Sequence, residues 1–413
     1  MGYNAIKKHT KEGEKFMKKE LKYICKEKGI TLIALVITII VLLILAVVTI
    51  QTLTGDNGLL VKAKSAVEKN SQAEIEEELQ LLEFEYEIDK KEGKYNDSYD
   101  SYVIYKKYGV KIGDIVNYDE LSNGEKTYTT DTSKGIADTV GIKDETTGKY
   151  PLNEGTFKTQ NLTWRVLGVN NKLQLELISE NPTSDYGPYL ANEEGYLYGP
   201  DELNKMCNDL YGKGNGAISA RSLNVDDIDK LAGIKTDADK KLLDSGYGIM
   251  HQFRFPTEEE EEGERKLQER TNSGSGYGNW RNSHYANTYK LPGESEAISL
   301  ENPGYSKELV QDYYKYTISE KVTQTTQDGK SMADIICKGT GNNNITQWLS
   351  SNCTVSYLWT TFRVRYIYNG TLDAEAVCTS SGNGAIRHPI RSVVTLVSNI
   401  KLSGSSEEGW TIQ

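Results

Sequence analysis

The clearest pattern along the chain is an uncharged apolar run at residues 30–50, which follows a charged N-terminus. Threonines are the only polar side chains in this run. A helix of that length extends about 31 Å, the thickness of the hydrocarbon core of a bilayer. Residues 1–29 hold nine lysines against four glutamates, and such positive flanks stay in the cytoplasm. We therefore expect one membrane-spanning helix, with the rest of the chain outside the cell.

A second helical pattern follows the apolar run. The sequence GDNG at residues 55–58 predicts a turn that interrupts the helix just past the membrane. From Leu59 to Lys91, apolar residues recur at helical spacing, and glutamates occupy most other positions. The predicted apolar stripe consists of Ala63, Ala66, Val67, Ala73, Ile75, Leu79, Leu82 and Tyr86. We predict a helical stalk over residues 51–92, with the glutamates as a solvated face.

The remaining sequence favours an antiparallel, loop-rich head. Residues 161–169 and 172–178 alternate between apolar and polar side chains and are joined by two asparagines, which is typical of a β-hairpin. Short amphipathic helices are predicted at residues 201–210 and 224–231, the second with Asn224 as its N-cap. Short apolar strands separated by Gly, Asn and Ser continue to the C-terminus. The expected fold class is α+β: one transmembrane helix, a helical stalk and an antiparallel globular head.

The composition of the chain changes near residue 151. All eight prolines and all five tryptophans lie at or after this position. Residues 93–150 are rich in Gly, Thr, Asp and Lys, with one predicted strand at residues 110–118. We therefore expect residues 93–150 to connect the stalk to a head that occupies residues 151–413.

Charge and aromatic content limit the functional classes to which the protein can belong. The formal net charge is −11, which argues against nucleic acid as a partner because phosphate binding needs clustered Lys and Arg. Arg363, Arg365, Arg387 and Arg391 are the candidates for a local basic patch. The chain has 27 tyrosines and 37 glycines but only 6 phenylalanines, a composition typical of an exported, loop-rich domain.

The sequence offers little material for catalysis or for metal binding. It has four histidines and five dispersed cysteines, with no CxxC or HxxxH spacing, which excludes zinc ribbons and zincins. His251, His284 and His388 are isolated and are expected in loops or at the surface. No GxSxG motif and no P-loop is present. We therefore predict no catalytic residue, no metal and no cofactor, and we expect that the protein is not an enzyme.

Four cysteines follow the apolar run, and they allow three pairings into two disulfides. They are Cys207, Cys337, Cys353 and Cys378. Cys337 and Cys353 are the nearest pair in sequence, and on that ground alone they are the candidate disulfide.

The segment from Lys28 to Leu35 reads KGITLIAL and resembles the cleavage motif of type IV prepilins and pseudopilins. The resemblance covers residues 17–62. It implies that a prepilin peptidase cuts on the cytoplasmic side between Gly29 and Ile30, which removes the basic leader but keeps the membrane anchor. It also implies N-methylation of the new amine at Ile30. A start at Met17 instead of Met1 would give a leader closer to the short leaders of the family.

Two positions depart from the family pattern. The first mature residue is Ile30 instead of Phe or Met, an apolar exchange. The fifth mature residue is Ala34, where the family has a glutamate that neutralises the amino terminus of a neighbouring subunit. A buried amine without a partner is costly, so Ala34 argues against a major pilin and favours a minor or tip subunit. The tip subunit of type II secretion pseudopili likewise lacks this glutamate and is large.

Three segments of the head resemble exported bacterial domains with a C-type-lectin-like fold, which is shared with formylglycine-generating-type domains. They read WRVL at residues 164–167, ARSLNVDDI at residues 220–228 and IRSVVTL at residues 390–396, the last preceded by YLW at residues 357–359. The resemblance implies two helices, small antiparallel sheets and long loops. Such heads occur on prepilin-type anchors in Gram-positive anaerobes. The closely spaced cysteine pair that holds copper in formylglycine-generating enzymes is absent from this sequence.

Two functions follow as hypotheses. The first is a pilin-like surface protein of a Gram-positive bacterium that displays an adhesion domain for an extracellular glycan or protein. Its tyrosines suit such binding because they give contact area and a hydroxyl group at low entropic cost. The alternative is a pseudopilin, a structural part of a type II-like secretion or DNA-uptake machine. A membrane-anchored enzyme ranks third. The expected partners are the peptidase and methylase, the lipid bilayer and sister subunits.

Overall fold

The computed structural model describes most of the chain after the apolar run. The described residues are 39, 42, 59–183, 187–236, 239–240, 243, 288–289, 298–299, 314–339, 343–356, 360–379 and 382–413. Among them, no helix is long and apolar enough to cross a membrane. The predicted span at residues 30–50 lies outside the described residues, apart from Ile39 and Leu42. The chain divides into two compact units, Met1–Leu81 and Leu82–Gln413.

Helices and strands alternate irregularly along the described chain. The helices are α1 (Leu59–Lys91), α2 (Tyr99–Tyr108), a 3₁₀ turn (Thr132–Lys134), α3 (Asn192–Tyr211), α4 (Val225–Ala232), α5 (Ile318–Lys321) and α6 (Met332–Cys337). The first strands are β1 (Ile115–Asn117), β2 (Thr127–Thr129), β3 (Ile136–Ala137), β4 (Thr139–Val140), β5 (Leu152–Asn153), β6 (Thr156–Lys158), β7 (Trp164–Val169), β8 (Leu175–Ser179), β9 (Tyr189–Ala191) and β10 (Ala217–Ser222). The later strands are β11 (Thr288–Tyr289), β12 (Ile298–Ser299), β13 (Tyr316–Thr317), β14 (Gln347–Ser356), β15 (Thr360–Tyr368), β16 (Thr371–Thr379), β17 (Gly382–Asn383), β18 (Ala385–Arg387), β19 (Ser392–Leu396), β20 (Leu402–Ser405) and β21 (Gly409–Ile412).

Helix α1 has the bounds expected from the hydrophobic pattern. Its sequence contains neither Gly nor Pro, and Lys90 and Lys91 in its last turn interact favourably with the helix dipole. Tyr86 is buried, and three other residues of the predicted stripe (Ile75, Leu79 and Leu82) are half-buried. The spacing of these four residues, by four, three and four, keeps them on one face.

The end of α1 is joined to α2 by a group of tyrosines. The ring of Tyr86 packs edge-on or tilted against the rings of Tyr95, Tyr99 and Tyr102, at centroid distances of 5.4–6.5 Å. The hydroxyl of Tyr102 donates a hydrogen bond of 2.6 Å to Oδ2 of Asp89. These contacts fix the angle between the last turns of α1 and the following helix.

A seven-stranded sheet forms the centre of the unit Leu82–Gln413. Its strand order is β10-β19-β8-β7-β1-β21-β20. The predicted hairpin is confirmed as β7 and β8, which pair antiparallel. All neighbouring strands in this sheet are antiparallel except β1 and β21, which are parallel. A second sheet has the order β13-β16-β15-β14, with β17 added on β16.

Residues 93–150 belong to the head and do not form a separate connector. Strand β1 lies between β7 and the C-terminal strand β21, in the interior of the main sheet. Val116 of β1 and the flanking Val110 and Tyr118 are buried. The change in composition at residue 151 therefore does not mark the start of the globular unit, because pairing between strands so distant in sequence leaves no trace in local composition.

Helix α3 packs against strands of both large sheets. It begins at Asn192, well before the predicted start at residue 201. The added turns contain Gly195, Gly199 and Pro200, residues of low helix propensity. Tertiary packing explains the difference, because a Cβ atom at Gly199 would lie only 3.0 Å from Cδ1 of Leu190. The glycine permits a close approach that local propensity does not report.

The described residues thus form a mixed structure of helices and mainly antiparallel sheets, which agrees with the α+β class. The core beneath the second sheet gathers side chains from distant parts of the chain, including Leu167, Ile228, Ile336, Leu349 and Ile367.

Candidate functional site

Three arginines lie in the segments that resemble lectin-like domains: Arg165, Arg221 and Arg391. Arg165 on β7 is almost completely buried, with 1% of its surface exposed. Its Nε donates to Glu180 at 2.7 Å, and its two terminal nitrogens donate to both carboxylate oxygens of Asp328 at 3.1 and 2.8 Å. The side chain therefore links the main sheet to the loop that carries Asp328.

Arg221 on β10 links the main sheet to helix α4. Its terminal nitrogens donate to both oxygens of Asp227 at 2.6 and 2.7 Å, and one also donates to Glu176 at 3.0 Å. Burial raises the pKa of Glu176, and the Arg221 guanidinium opposes that rise. Asp227 also accepts the backbone N–H of Asn224 and so completes the capping box of α4.

Arg391 precedes β19 and is completely buried. It donates to the carbonyl oxygens of Ser179, Glu180 and Lys338 and to Oε1 of Gln347. Burial lowers the pKa of Arg391 to about 10. The motif arginines are thus engaged by internal partners, and we assign the three motifs to the scaffold of the head instead of to ligand binding.

The candidate basic patch does not form. Arg365 and Arg391 are both 0% exposed. Arg363 is half-buried and donates to the carbonyl of Ala374, and Arg387 forms an ion pair with Asp138 at 3.2 Å. The side chains are instead bonded within the head, as when Arg365 donates to the carbonyl of Tyr314 and Arg391 to Oε1 of Gln347.

A polar groove opens where β1 ends and where the chain enters β7. It has a volume of about 320 Å³ and is lined by residues 115–121 and 161–164. At its base, the buried Glu120 accepts hydrogen bonds from the backbone N–H of Leu162 and from the indole Nε1 of Trp164. Burial raises the pKa of Glu120, and the hydrogen bonds from the backbone oppose the rise.

Most of the exposed lining of this groove is hydrophilic, although Leu121, which is 39% exposed, adds an apolar side chain. Asn117, Asp119, Asn161 and Thr163 are exposed. Carboxylate, amide and hydroxyl groups at this density can hydrogen-bond a hydroxyl-rich or peptide-like ligand. The groove could not be predicted from the sequence, because its two walls come from segments about 40 residues apart that meet only in the folded head.

Helix α1 exposes large apolar side chains on the face away from Tyr86. Leu81, Phe84 and Ile88 are 59%, 66% and 39% exposed. Their spacing by three and four residues places them on one side of the helix. A contiguous exposed apolar patch is typical of a surface that meets a partner.

The candidate disulfide is absent, because Cys337 and Cys353 are free, buried thiols in the structure. Nε2 of Gln347 donates to the carbonyl of Ile336, which places the start of β14 beside the end of α6. Cys353 lies six residues further along β14, roughly 15–20 Å away at the usual rise of a strand. Disulfides need Cα atoms about 4.4–6.8 Å apart. Burial raises the pKa of both thiols.

His388 lies in a loop, with its ring 4.6 Å from that of Trp348, and burial lowers its pKa to about 4. Among the described residues, no group of three or more His, Cys, Asp or Glu side chains could hold a metal ion. Gly29, Ile30 and Ala34 lie outside the described part of the chain, as do His251 and His284.

Comparison with known proteins gives no match: no family model, no curated protein and no solved structure matches this chain.

Proposed function

We propose that this protein is a membrane-anchored, pilin-like surface protein that is processed between Gly29 and Ile30 and displays an α+β head outside the cell. The observation that carries the proposal is the junction between a lysine-rich leader and the uncharged apolar run at residues 30–50, with a glycine at the boundary. A cut at this position removes the positive charges but leaves the whole apolar segment as an anchor.

The lectin-like assignment of the head is part of the proposal. It is supported by the positions of the three motif segments in the structure. They contribute strands β7, β10 and β19 to one sheet, and the arginine of each segment forms hydrogen bonds with other residues of the head. The polar groove beside Glu120 is the candidate surface for an extracellular glycan or protein.

A second candidate is a structural subunit of a secretion or uptake machine. The exposed apolar face formed by Leu81, Phe84 and Ile88 favours it, because a subunit packed among sister helices would cover this face. Ala34 limits the role to a minor or tip position under either proposal, since it lacks the carboxylate that would neutralise a neighbouring amine.

The test is mass spectrometry of the N-terminal peptide, with the full chain produced in its native host. We expect a mature chain that begins at Ile30 and carries one added methyl group. Gly29→Glu should retain the leader, because the peptidase motif needs a small residue at the cut. Gly55→Glu introduces the same change beyond the membrane and should be processed normally. An intact leader in the wild-type protein, or cleavage after residue 50, would contradict the pilin-like proposal.

A further inference from the structure

Helix α1 carries a second stripe of side chains, separate from the half-buried stripe that ends at Tyr86. Leu81, Phe84 and Ile88 belong to it, and Val67, which is 68% exposed, extends it towards the start of the helix. Val67, Leu81 and Ile88 are whole heptads apart and share position a, and Phe84 takes position d. At 3.6 residues per turn, this outer stripe is centred roughly 140° around the helix from the half-buried one. Apolar residues in such a repeat are typical of a helix that pairs with another helix.

The middle of the outer stripe is acidic. Glu74 lies one heptad after Val67 and Glu77 lies one heptad before Phe84, so they take the a and d positions of the middle repeat. Both side chains are exposed. Glu74 accepts a hydrogen bond of 2.8 Å from Nδ2 of Asn70, and neither glutamate forms an ion pair within the part of the chain that the structure describes. The stripe therefore offers apolar surface at both ends and two uncompensated negative charges between them.

A second copy of this chain fits the outer stripe poorly. In a parallel pair of α1 helices, Glu74 and Glu77 would each face the same residue of the other copy. In the antiparallel register that aligns Val67 with Phe84, Glu74 would face Glu77. Both arrangements place like charges across the seam, where the two helices partly shield them from water and strengthen the repulsion. Polar residues at a and d positions reject wrong partners in this way.

We propose that the outer stripe binds an amphipathic helix of a different subunit, with apolar residues at its own a and d positions and Lys or Arg opposite Glu74 and Glu77. Leu81, Phe84 and Ile88 supply most of the apolar contact, and the two glutamates select the partner by charge. Opposite charges across a seam set partner choice and register. The inference rests on the second candidate function above, a subunit among sister helices, and adds the chemistry of the partner.

The test uses the full chain in detergent and two labelled helical peptides. Both peptides have leucine at every a and d position except in the middle heptad, where one has lysine and the other has glutamate. Fluorescence anisotropy measures their binding. We expect the lysine peptide to bind at least roughly tenfold more tightly, because two seam positions change from repulsion to attraction. Equal affinity of the two peptides, or no binding of either, would overturn the proposal.

Two double variants locate the source of the preference. Glu74→Gln combined with Glu77→Gln removes both charges from the outer stripe, so the preference for the lysine peptide should disappear. Glu76→Gln combined with Glu83→Gln is the matched control, because it removes two exposed charges from another side of the same helix. This control should keep the preference. The same loss of preference in both double variants would assign it to the overall charge of α1 and overturn the role of the stripe.

Sedimentation of the full chain in detergent tests the other occupant. We expect one protomer per micelle at neutral pH. A dimer that Phe84→Ser dissociates would identify a second copy as the occupant and overturn the proposal. Peptide binding does not require cleavage after Gly29, so the two proposals fail separately. A chain that keeps its leader but prefers the lysine peptide contradicts the pilin-like function alone, and a processed chain without the preference contradicts this inference alone.

Discussion

Helix α1 and the main sheet of the head differ in the groups that they expose and bury. The last turns of α1 expose Leu81, Phe84 and Ile88 to solvent, whereas the head buries the guanidinium groups of Arg165 and Arg391. Exposed apolar groups are unfavourable in water unless a partner covers them. Buried charges destabilise the folded protein unless they form hydrogen bonds or ion pairs. The difference indicates that these buried charges of the head are satisfied by its own residues, whereas the exposed apolar face of α1 is suited to a partner.

The two regions also differ in how their stability is maintained. In α1, neighbours lie three or four residues apart, as in the hydrogen bonds from Asn70 to Glu74 and from Gln72 to Glu76. In the head, Arg391 binds the carbonyl of Ser179, from a strand in the first half of the chain. A single substitution should therefore have a large effect on the head and a small one on α1.

The largest expected effect is that of Arg391→Ala. The substitution leaves three carbonyl oxygens and the amide of Gln347 buried without their donor. We expect the free energy of unfolding to fall by roughly 3–5 kcal/mol, as when one partner of a buried charged network is removed. Chemical denaturation followed by tryptophan fluorescence measures it. A loss of less than about 1 kcal/mol, the worth of one ordinary hydrogen bond, would mean that the head does not depend on its buried arginines.

A smaller, pH-dependent effect is expected for Asp328→Asn. The hydrogen bonds from Arg165 lower the pKa of Asp328 from 3.8 to about 2. Because the pKa is lower in the folded state, the contribution of the carboxylate to stability is present above about pH 4 and is lost as the pH falls towards 2. The side chain is 41% exposed, so solvent reduces the size of this contribution.

Acid titration of the unfolding free energy tests this prediction. The wild-type protein should lose stability between about pH 4 and pH 2, and Asp328→Asn should lose less over that range while being less stable at neutral pH. Asp334→Asn is a control, because Asp334 pairs with Lys338 at a solvent-exposed position within four residues. The same acid profile for Asp328→Asn as for the wild-type protein would exclude a role for the pair of Arg165 and Asp328.

The same contrast explains how much of the molecule could be predicted from sequence. Helix α1, the hairpin of β7 and β8 and helix α4 depend on periodicity and local signals, and all three were identified with small errors in their bounds. The place of β1 beside β21 was missed, because pairing between distant segments has no local signature.

The roles of individual residues were harder to predict. The motif arginines are visible in the sequence, but nothing in the sequence indicates that Asp328, Gln347 and Glu176 are their internal partners. The start of α3 at Asn192 could not be predicted, because Gly195, Gly199 and Pro200 have low helix propensity. Tertiary packing stabilises the helix there despite these residues.

The smallest effect on stability, and the most informative about α1, is that of Phe84→Ser. Phe84 is 66% exposed, so its removal should change the unfolding free energy of the protein by no more than about 0.5 kcal/mol. If the exposed apolar face of α1 meets another subunit, the same substitution should markedly reduce recovery of that subunit by cross-linking in the native host. Glu87→Ser changes another exposed residue of the same helix and should leave cross-linking unchanged. Unaltered cross-linking in Phe84→Ser would mean that this apolar face has no partner, and the head alone would then carry the function of the protein.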